Sequence, residues 1–211
     1  MKLYSYFRSS AAYRVRIALN LKGLSYDYVA VNLLHSEQKS EEYMARNPQG
    51  LLPALELDGG ELLTQSVAIL EWLEETCPAP ALLPVDPLQR ARVRSMVNSI
   101  ACDIHPLNNL SIMNYLRTEL DASDDDVHRW YCQWVDRGFS ALEKNLEQAM
   151  GKCCFGDQPT LADVCLIPQA YNAYRFKVPM EAYPNIRRVI QHCNSLDAFA
   201  NAAPEAQPDA G

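Results

Sequence analysis

The sequence has no long hydrophobic run, no excess of positive charge and few histidines. No apolar stretch approaches the roughly 18 residues of a membrane-spanning helix, which argues against an integral membrane protein. Nineteen Lys and Arg face 26 Asp and Glu, giving a net charge of −7 and a pI near 5.1. Affinity for a phosphate backbone is therefore not expected. The opening MKLYSYFRSS carries no apolar h-region of a signal peptide. Seven cysteines make no regular framework: the number is odd, there is no CxxC, and Cys153 and Cys154 are adjacent. That usage suits free thiols in a reducing cytoplasm. His35, His128 and His192 stand apart from Cys, Asp or Glu at ligand spacing, so no metal is expected. No pair of carboxylates is arranged for acid–base work.

What is present is an ordinary globule's composition, 48% hydrophobic and 21% charged over 211 residues, enough for one large domain or two small ones. KLYSYF (2–7) alternates and reads as a strand. Ser9-Ser10 precede a helical pattern through Val15, Ala18, Leu19 and Leu21, and Gly23 sits where a glycine ends a helix. SYDYVAVNL (25–33) reads as a second strand, so the start is a βαβ unit with a parallel pair. After a polar stretch and the turn Asn47-Pro48-Gln49-Gly50, residues 53–65 read as a hairpin about Asp58-Gly59-Gly60. Ser66 then suits the N-cap of a helix ending before Pro78.

The proline-rich segment 78–87 is the one convincing domain boundary. Strand signals vanish beyond it. A long helix interrupted near Pro106 is expected, then one opened by Asp124-Asp125-Asp126, whose carboxylates suit the positive helix end. Thr160 to Asp163 is a capping-box variant. A last helix spans about 184–200, and the tail APEAQPDAG (203–211) is expected to be mobile. The reading is α/β followed by all-α: a βαβ-α-ββα domain over 1–79, a linker over 80–87, and a helical bundle over 88–211.

Three places in the first domain could receive a ligand. Ser9-Ser10 open a helix, whose free N–H groups and partial positive charge favour an anion, although a serine there is first of all a cap. Leu52-Pro53 heads a short strand; the proline is either a routine strand opener or a cis residue that bares the backbone before it. Gln65-Ser66 open another helix that could hold a carboxylate or simply be capped. Arg14 and Arg16 read as structural or solvated helix charges. Trp130 and Trp134, four apart, read as a packed helical face.

The three places, with SSAAYRVRIALNLKG (9–23), NPQGLLPAL (47–55), QSVAILEWLEE (65–75), PALLPVDP (80–87), DIHPLNNLSI (103–112), GDQPTLADVCLIPQ (156–169) and YRFKV (174–178), resemble the zeta-class glutathione transferases. The likeness runs from end to end of the chain. It implies a thioredoxin-like glutathione-binding domain, a helical substrate-binding domain, a homodimer and a small dicarboxylic-acid substrate. Ser9 would activate the glutathione sulfur with Ser10 assisting, and Leu52 would pair with the cysteinyl unit before a cis Pro53. Gln65 and Ser66 would hold the γ-glutamyl end. His105 and Asn108 would contact glutathione or substrate, and Arg8 and Arg175 would face the substrate carboxylates. The activity implied is glutathione-dependent isomerisation of 4-maleylacetoacetate to 4-fumarylacetoacetate, with maleylpyruvate isomerisation or general transfer to electrophiles as alternatives. The chain departs from the family's Ser-Ser-Cys pattern at Ala11, which removes the thiol that dehalogenating members use.

Overall fold

A computed structural model describes residues 1–210. Two compact units emerge: Met1–Leu82 joined by the segment from Asn194 onward, and Leu83–Cys193.

In the first unit β1 (Lys2–Ser5) lies between β2 (Asp27–Ala30), which is parallel to it, and β3 (Ala54–Glu56), which is antiparallel. The hairpin partner β4 (Leu62–Thr64) completes a four-stranded sheet of order β2-β1-β3-β4. Strand alternation sends successive side chains of β1 to opposite faces. Ser5 meets Arg16 of α1 (Ser10–Leu21), whereas the Tyr4 ring meets Tyr43 of α2 (Glu41–Arg46) edge-on with ring centres 6.0 Å apart. α1 packs on α3 (Ser66–Thr76), burying Val15, Ile17, Leu19, Ile69, Leu70 and Leu73 completely. Each such side chain contributes about 1.5–3 kcal/mol.

α1 closes through Gly23, at φ +64, with Leu24 N–H reaching Leu19 O and Gly23 N–H reaching Asn20 O. A glycine at this left-handed position satisfies the last carbonyls without a Cβ clash. The adjacent Lys22 is buried and ion-paired with Glu74 of α3 at 2.9 Å, and it also donates to Cys77 O and Pro80 O. This ties the end of α1 to the chain leaving α3. Between β2 and β3 the polar stretch forms two 3-10 turns, Leu33–His35 and Glu37–Lys39, before α2.

The second unit is helical: α4 (Pro87–Asn98), a π turn (Ser99–Ile104) running into a 3-10 turn (His105–Asn108), α5 (Leu110–Thr118), α6 (Asp124–Glu147), α7 (Leu161–Arg175) and α8 (Pro184–Asn194). Ser123 and Asp126 form a capping box on α6, and Thr160 and Asp163 form one on α7. Gly138 of α6 admits Ile104; a Cβ there would stand 2.2 Å from its Cδ1. Trp130 of α6 donates its indole N–H to Leu107 O at 2.7 Å. These two contacts seat the segment that carries His105 and Asn108.

Two expectations are corrected. The last helix breaks after Asn194, and a short α9 (Asp197–Ala200) returns to the first unit. In the tail 203–211, expected to be mobile, Asp209 accepts from Phe7 N–H at 3.1 Å and from the Tyr28 hydroxyl at 2.6 Å. Just before it Ala198 O and Ala202 O accept from Asn20 and Arg16, both at 3.0 Å; Gly211 lies outside the described residues. No local pattern announces this, because the partners lie more than 170 residues away.

Candidate active site

The first unit gathers three of the expected places at the ends of its strands. Ser9 is the N-cap of α1, in extended conformation, and its Oγ accepts the Ala12 N–H at 3.3 Å. Capping uses an oxygen lone pair and leaves the O–H hydrogen to donate, so cap and anion donor are one arrangement. Ser10 is the first helical residue and is buried. The turn before it is closed by Ser9 N–H to Tyr6 O at 2.9 Å. Arg8 donates to the Tyr6 hydroxyl at 3.1 Å, and its guanidinium lies 4.8 Å from the centre of the Phe7 ring.

The Leu52–Pro53 bond is cis. Leu52 precedes Ala54, the first residue paired on either side of β3, so its backbone lies beyond the ladder. Just ahead of it, Leu51 O accepts from the Tyr43 hydroxyl at 2.7 Å and from the Asn47 amide at 2.9 Å. Burial pushes the Tyr43 phenol up to about 12, which keeps it protonated as that donor.

The helix expected to be capped by Ser66 starts one residue earlier. Gln65 is the N-cap, at φ +68, and Ser66 is the first helical residue. A non-glycine residue at positive φ costs about 1–3 kcal/mol and has to be held by its surroundings. Gln65 donates through Nε2 to Gln49 Oε1 at 2.8 Å, and Gln49 is set by Asn47 Oδ1 accepting its N–H. Beneath Ser66 the buried Arg14 donates to its Oγ at 3.2 Å. A guanidinium there adds to the positive potential of the α3 N-terminus. Gln49 and Arg14 thus support Gln65 and Ser66, a part the sequence reading did not give them, although the turn NPQG pointed to the former.

Arg14 and Arg16 are structural, as read, but not solvated: they are 1% and 0% exposed. Burial lowers the Arg16 pKa, an effect opposed by nearby tyrosines and Asp209.

The remaining expected residues belong to the second unit. Asn108 is buried, and neither its Oδ1 nor its Nδ2 has a hydrogen-bond partner among the described residues. An orphaned buried amide costs about 1–3 kcal/mol unless something binds it. His105 begins the same 3-10 turn. Arg175 ends α7, exposed, with its guanidinium 4.4 Å from the centre of the Phe176 ring. That ring stacks on Tyr131 at 4.1 Å.

Other residues have plainer roles. His128 does not stand apart from thiols as read: its Nε2 lies 3.5 Å from Cys132 Sγ, one turn along α6. Burial and Asp136 raise that thiol's pKa, so the pair is not a thiolate–imidazolium couple. The Trp130 and Trp134 rings meet edge-on at 5.6 Å, half-buried. Cys153, Asp163 and Cys193 bring three buried potential ligand atoms within 4.8 Å of one another, a cluster not visible in sequence. Asp163 already accepts from Cys154 N–H at 2.7 Å and from Thr160 N–H and Oγ–H at 2.8 and 2.9 Å. Hydrogen bonding to Cys153, burial and Asp163 push the Cys193 thiol far up. The cluster anchors the α7 cap, and the Cys193 sulfur stays protonated.

A thioredoxin-like sheet with anion-receiving helix starts, followed by a helical unit, defines the class. The chain belongs to the glutathione S-transferase family: the N-terminal domain family matches residues 8–76 and the C-terminal domain family residues 133–197. Within the family it is similar to the zeta class. It is 50% identical to the maleylacetoacetate isomerase of Pseudomonas aeruginosa, over 99% of this chain and 98% of the relative. A maleylpyruvate isomerase described as a bacterial glutathione S-transferase of the zeta class superposes with TM-score 0.98 at 48% identity, each chain fully covered. The maleylacetoacetate isomerase of Methylobacterium extorquens AM1, solved with malonate and glutathione bound, has TM-score 0.96 and 39% identity, again with both chains fully covered.

Proposed function

We propose that this chain is a glutathione-dependent cis–trans isomerase of a β-diketo dicarboxylic acid, converting 4-maleylacetoacetate to 4-fumarylacetoacetate. The observation that carries this is the pairing of two open helix N-termini, at Ser9 and Gln65-Ser66, with the unladdered backbone of Leu52. An acidic peptide carrying a thiol needs these partners: a donor for sulfur, an extended backbone to pair with, and a positive end for carboxylate. The orphaned amide of Asn108 is a further polar contact that glutathione or substrate would satisfy. A relative solved with glutathione and malonate fits the same reading.

Glutathione, when bound, supplies the thiolate that adds reversibly to the cis double bond, opening it to rotation. Ser9 would donate its O–H to the sulfur, and the α1 N-terminus would favour negative charge there. Ser10 adds a donor at the same helix start. Leu52, before Pro53, offers its backbone to the cysteinyl unit. Gln65 and Ser66, the latter backed by Arg14, hold the γ-glutamyl end. His105 is assigned with Asn108 to glutathione or substrate. Arg8 and Arg175 are read as receivers of the substrate carboxylates, because a planar guanidinium binds a carboxylate bidentately. Ala11 carries no thiol, so the chain offers no resolving cysteine at that place.

We assign glutathione chiefly to residues 1–79 and substrate chiefly to the domain read as 88–211, of which the residues from Asn194 onward pack with the first unit, while Arg8 adds a substrate contact from the first domain. We further infer a homodimer and a cytoplasmic location. Seven free cysteines support the latter, and among the described residues no helix is long and apolar enough to cross a membrane. The 48% identity to a maleylpyruvate isomerase keeps maleylpyruvate as a second reading. Parallel assays of the two substrates, with and without glutathione, decide between them. Faster turnover of maleylacetoacetate, dependent on glutathione, is expected. A preference for maleylpyruvate would reassign the substrate, and inactivity toward both would remove the isomerase reading.

A further inference from the structure

The segment after α8 closes onto the turn that carries Ser9. Asp209 receives two hydrogen bonds, one on each carboxylate oxygen: Phe7 N–H to Oδ2 at 3.1 Å and the Tyr28 hydroxyl to Oδ1 at 2.6 Å. Phe7 lies just past the end of β1, and Tyr28 lies within β2. The carboxylate therefore bridges the turn to the neighbouring strand. Arg16 holds the other side, donating to Phe7 O at 2.9 Å, Tyr6 O at 3.4 Å and Ser5 Oγ at 3.1 Å. The polar groups of Phe7 are thus fixed in opposite senses, its N–H by an anion and its C=O by a cation.

The segment is itself built to stay in place. Phe199 and Ala202 are fully buried, and Gln207 donates to Asn201 O and Ala203 O, both at 2.9 Å. Burial and the bond to Asp209 push the Tyr28 phenol well above its usual range, so it remains a donor to Asp209 across the working pH range.

We propose that Asp209 is a positioning residue for the reaction, holding the Phe7–Ser9 turn so that the Ser9 hydroxyl meets the glutathione sulfur. This rests on the reading of Ser9 as the thiolate's donor. Ser9 lies two positions beyond the held amide, and a small rotation of the intervening peptides would swing its hydroxyl off line. Hydrogen bonds weaken steeply with such misalignment.

Charge and position act on the bound thiol in opposite directions, and this makes the role testable. Removing a nearby carboxylate by itself lowers a thiol's pKa; losing the aligned Ser9 donor raises it. The measurement is thiolate absorbance against pH for glutathione complexes of the wild type, Asp209→Ala and Asp209→Asn, with steady-state kinetics alongside. For Asp209→Ala the bound thiol should titrate about half a pH unit higher or more. Its kcat/KM at neutral pH should fall about 3- to 10-fold with KM for the dicarboxylate kept. Asp209→Asn, whose amide can accept from Phe7 N–H and donate to the Tyr28 oxygen, should restore most of both. A thiol pKa in Asp209→Ala that is unchanged or lower would overturn the proposal, as would loss of thermal stability alone. Should Asp209→Ala fail to fold, Tyr28→Phe decides: a smaller shift in the same direction supports the role, and none refutes it. A wild type with no thiolate signal would instead remove the underlying reading of Ser9, and the positioning role with it.

Discussion

In the proposed reaction Ser9 has two tasks for one oxygen, and substitution separates them by observable. Its lone pair caps α1 through Ala12 N–H, and its hydrogen is proposed to serve the sulfur. Ser9→Ala should lower the melting temperature by the loss of an N-cap, about 1 kcal/mol. It should also lower kcat/KM about 10- to 100-fold and move the activity profile to higher pH, because the thiolate loses its donor. Thermal denaturation and pH-dependent kinetics on the same variant check both. Arg8 and Arg175 are proposed to serve the other reactant. Arg8→Ala and Arg175→Ala should each raise KM for the dicarboxylate about 10-fold while glutathione affinity stays within about twofold. Saturation curves with each reactant varied in turn would show it. At this scale the sequence was informative about Ser9, Leu52, Pro53, Gln65 and Ser66, because helix starts and an X-Pro strand opener are local signals. Arg14 under Ser66 was not legible, since a buried arginine and a solvated one look alike until the packing is known.

The strands of the first unit are held by charge as well as by ladders. Glu56 on β3 accepts from Lys2 at 2.9 Å and from the Tyr4 hydroxyl at 2.8 Å, both on β1, and pairs with Arg46 of α2 at 3.3 Å. The hydrogen bonds from Lys2 and Tyr4 hold its carboxyl below the usual range. A carboxylate with a depressed folded pKa stabilises the native state above its unfolded pKa and loses that contribution as pH falls through the folded value. Glu56→Gln should therefore be less stable than wild type at pH about 7, and the difference should shrink below about pH 4. Urea midpoints at the two pH values measure it. Helix boundaries were read well where caps announce them, as at Thr160–Asp163. They were misread between α8 and α9, which read as one helical pattern; the chain breaks after Asn194, and Phe199 of α9 is fully buried in the first unit.

Across the whole molecule no cysteine stands at the two helix starts, Ser9-Ser10 and Gln65-Ser66, of the proposed chemistry. Among the seven free cysteines Cys153, Cys154, Cys165 and Cys193 are buried, and only Cys102 is exposed. Burial and Asp163 hold the Cys154 thiol well above its usual pKa, the opposite of an activated nucleophile. The position beside Ser9 and Ser10 where the family pattern has a cysteine is Ala11. Net charge was a poor guide to the ligand: the −7 belongs to the whole surface, whereas Arg8, Arg14 and two helix starts make one end of the sheet locally positive. In the proposed reaction glutathione does the covalent work and is returned. Following the trans product and the free-thiol titre together during turnover tests this most directly. The trans product should form only with glutathione present, many turnovers per glutathione, while total thiol stays constant. Product formed without glutathione, or one thiol consumed per product, would contradict it.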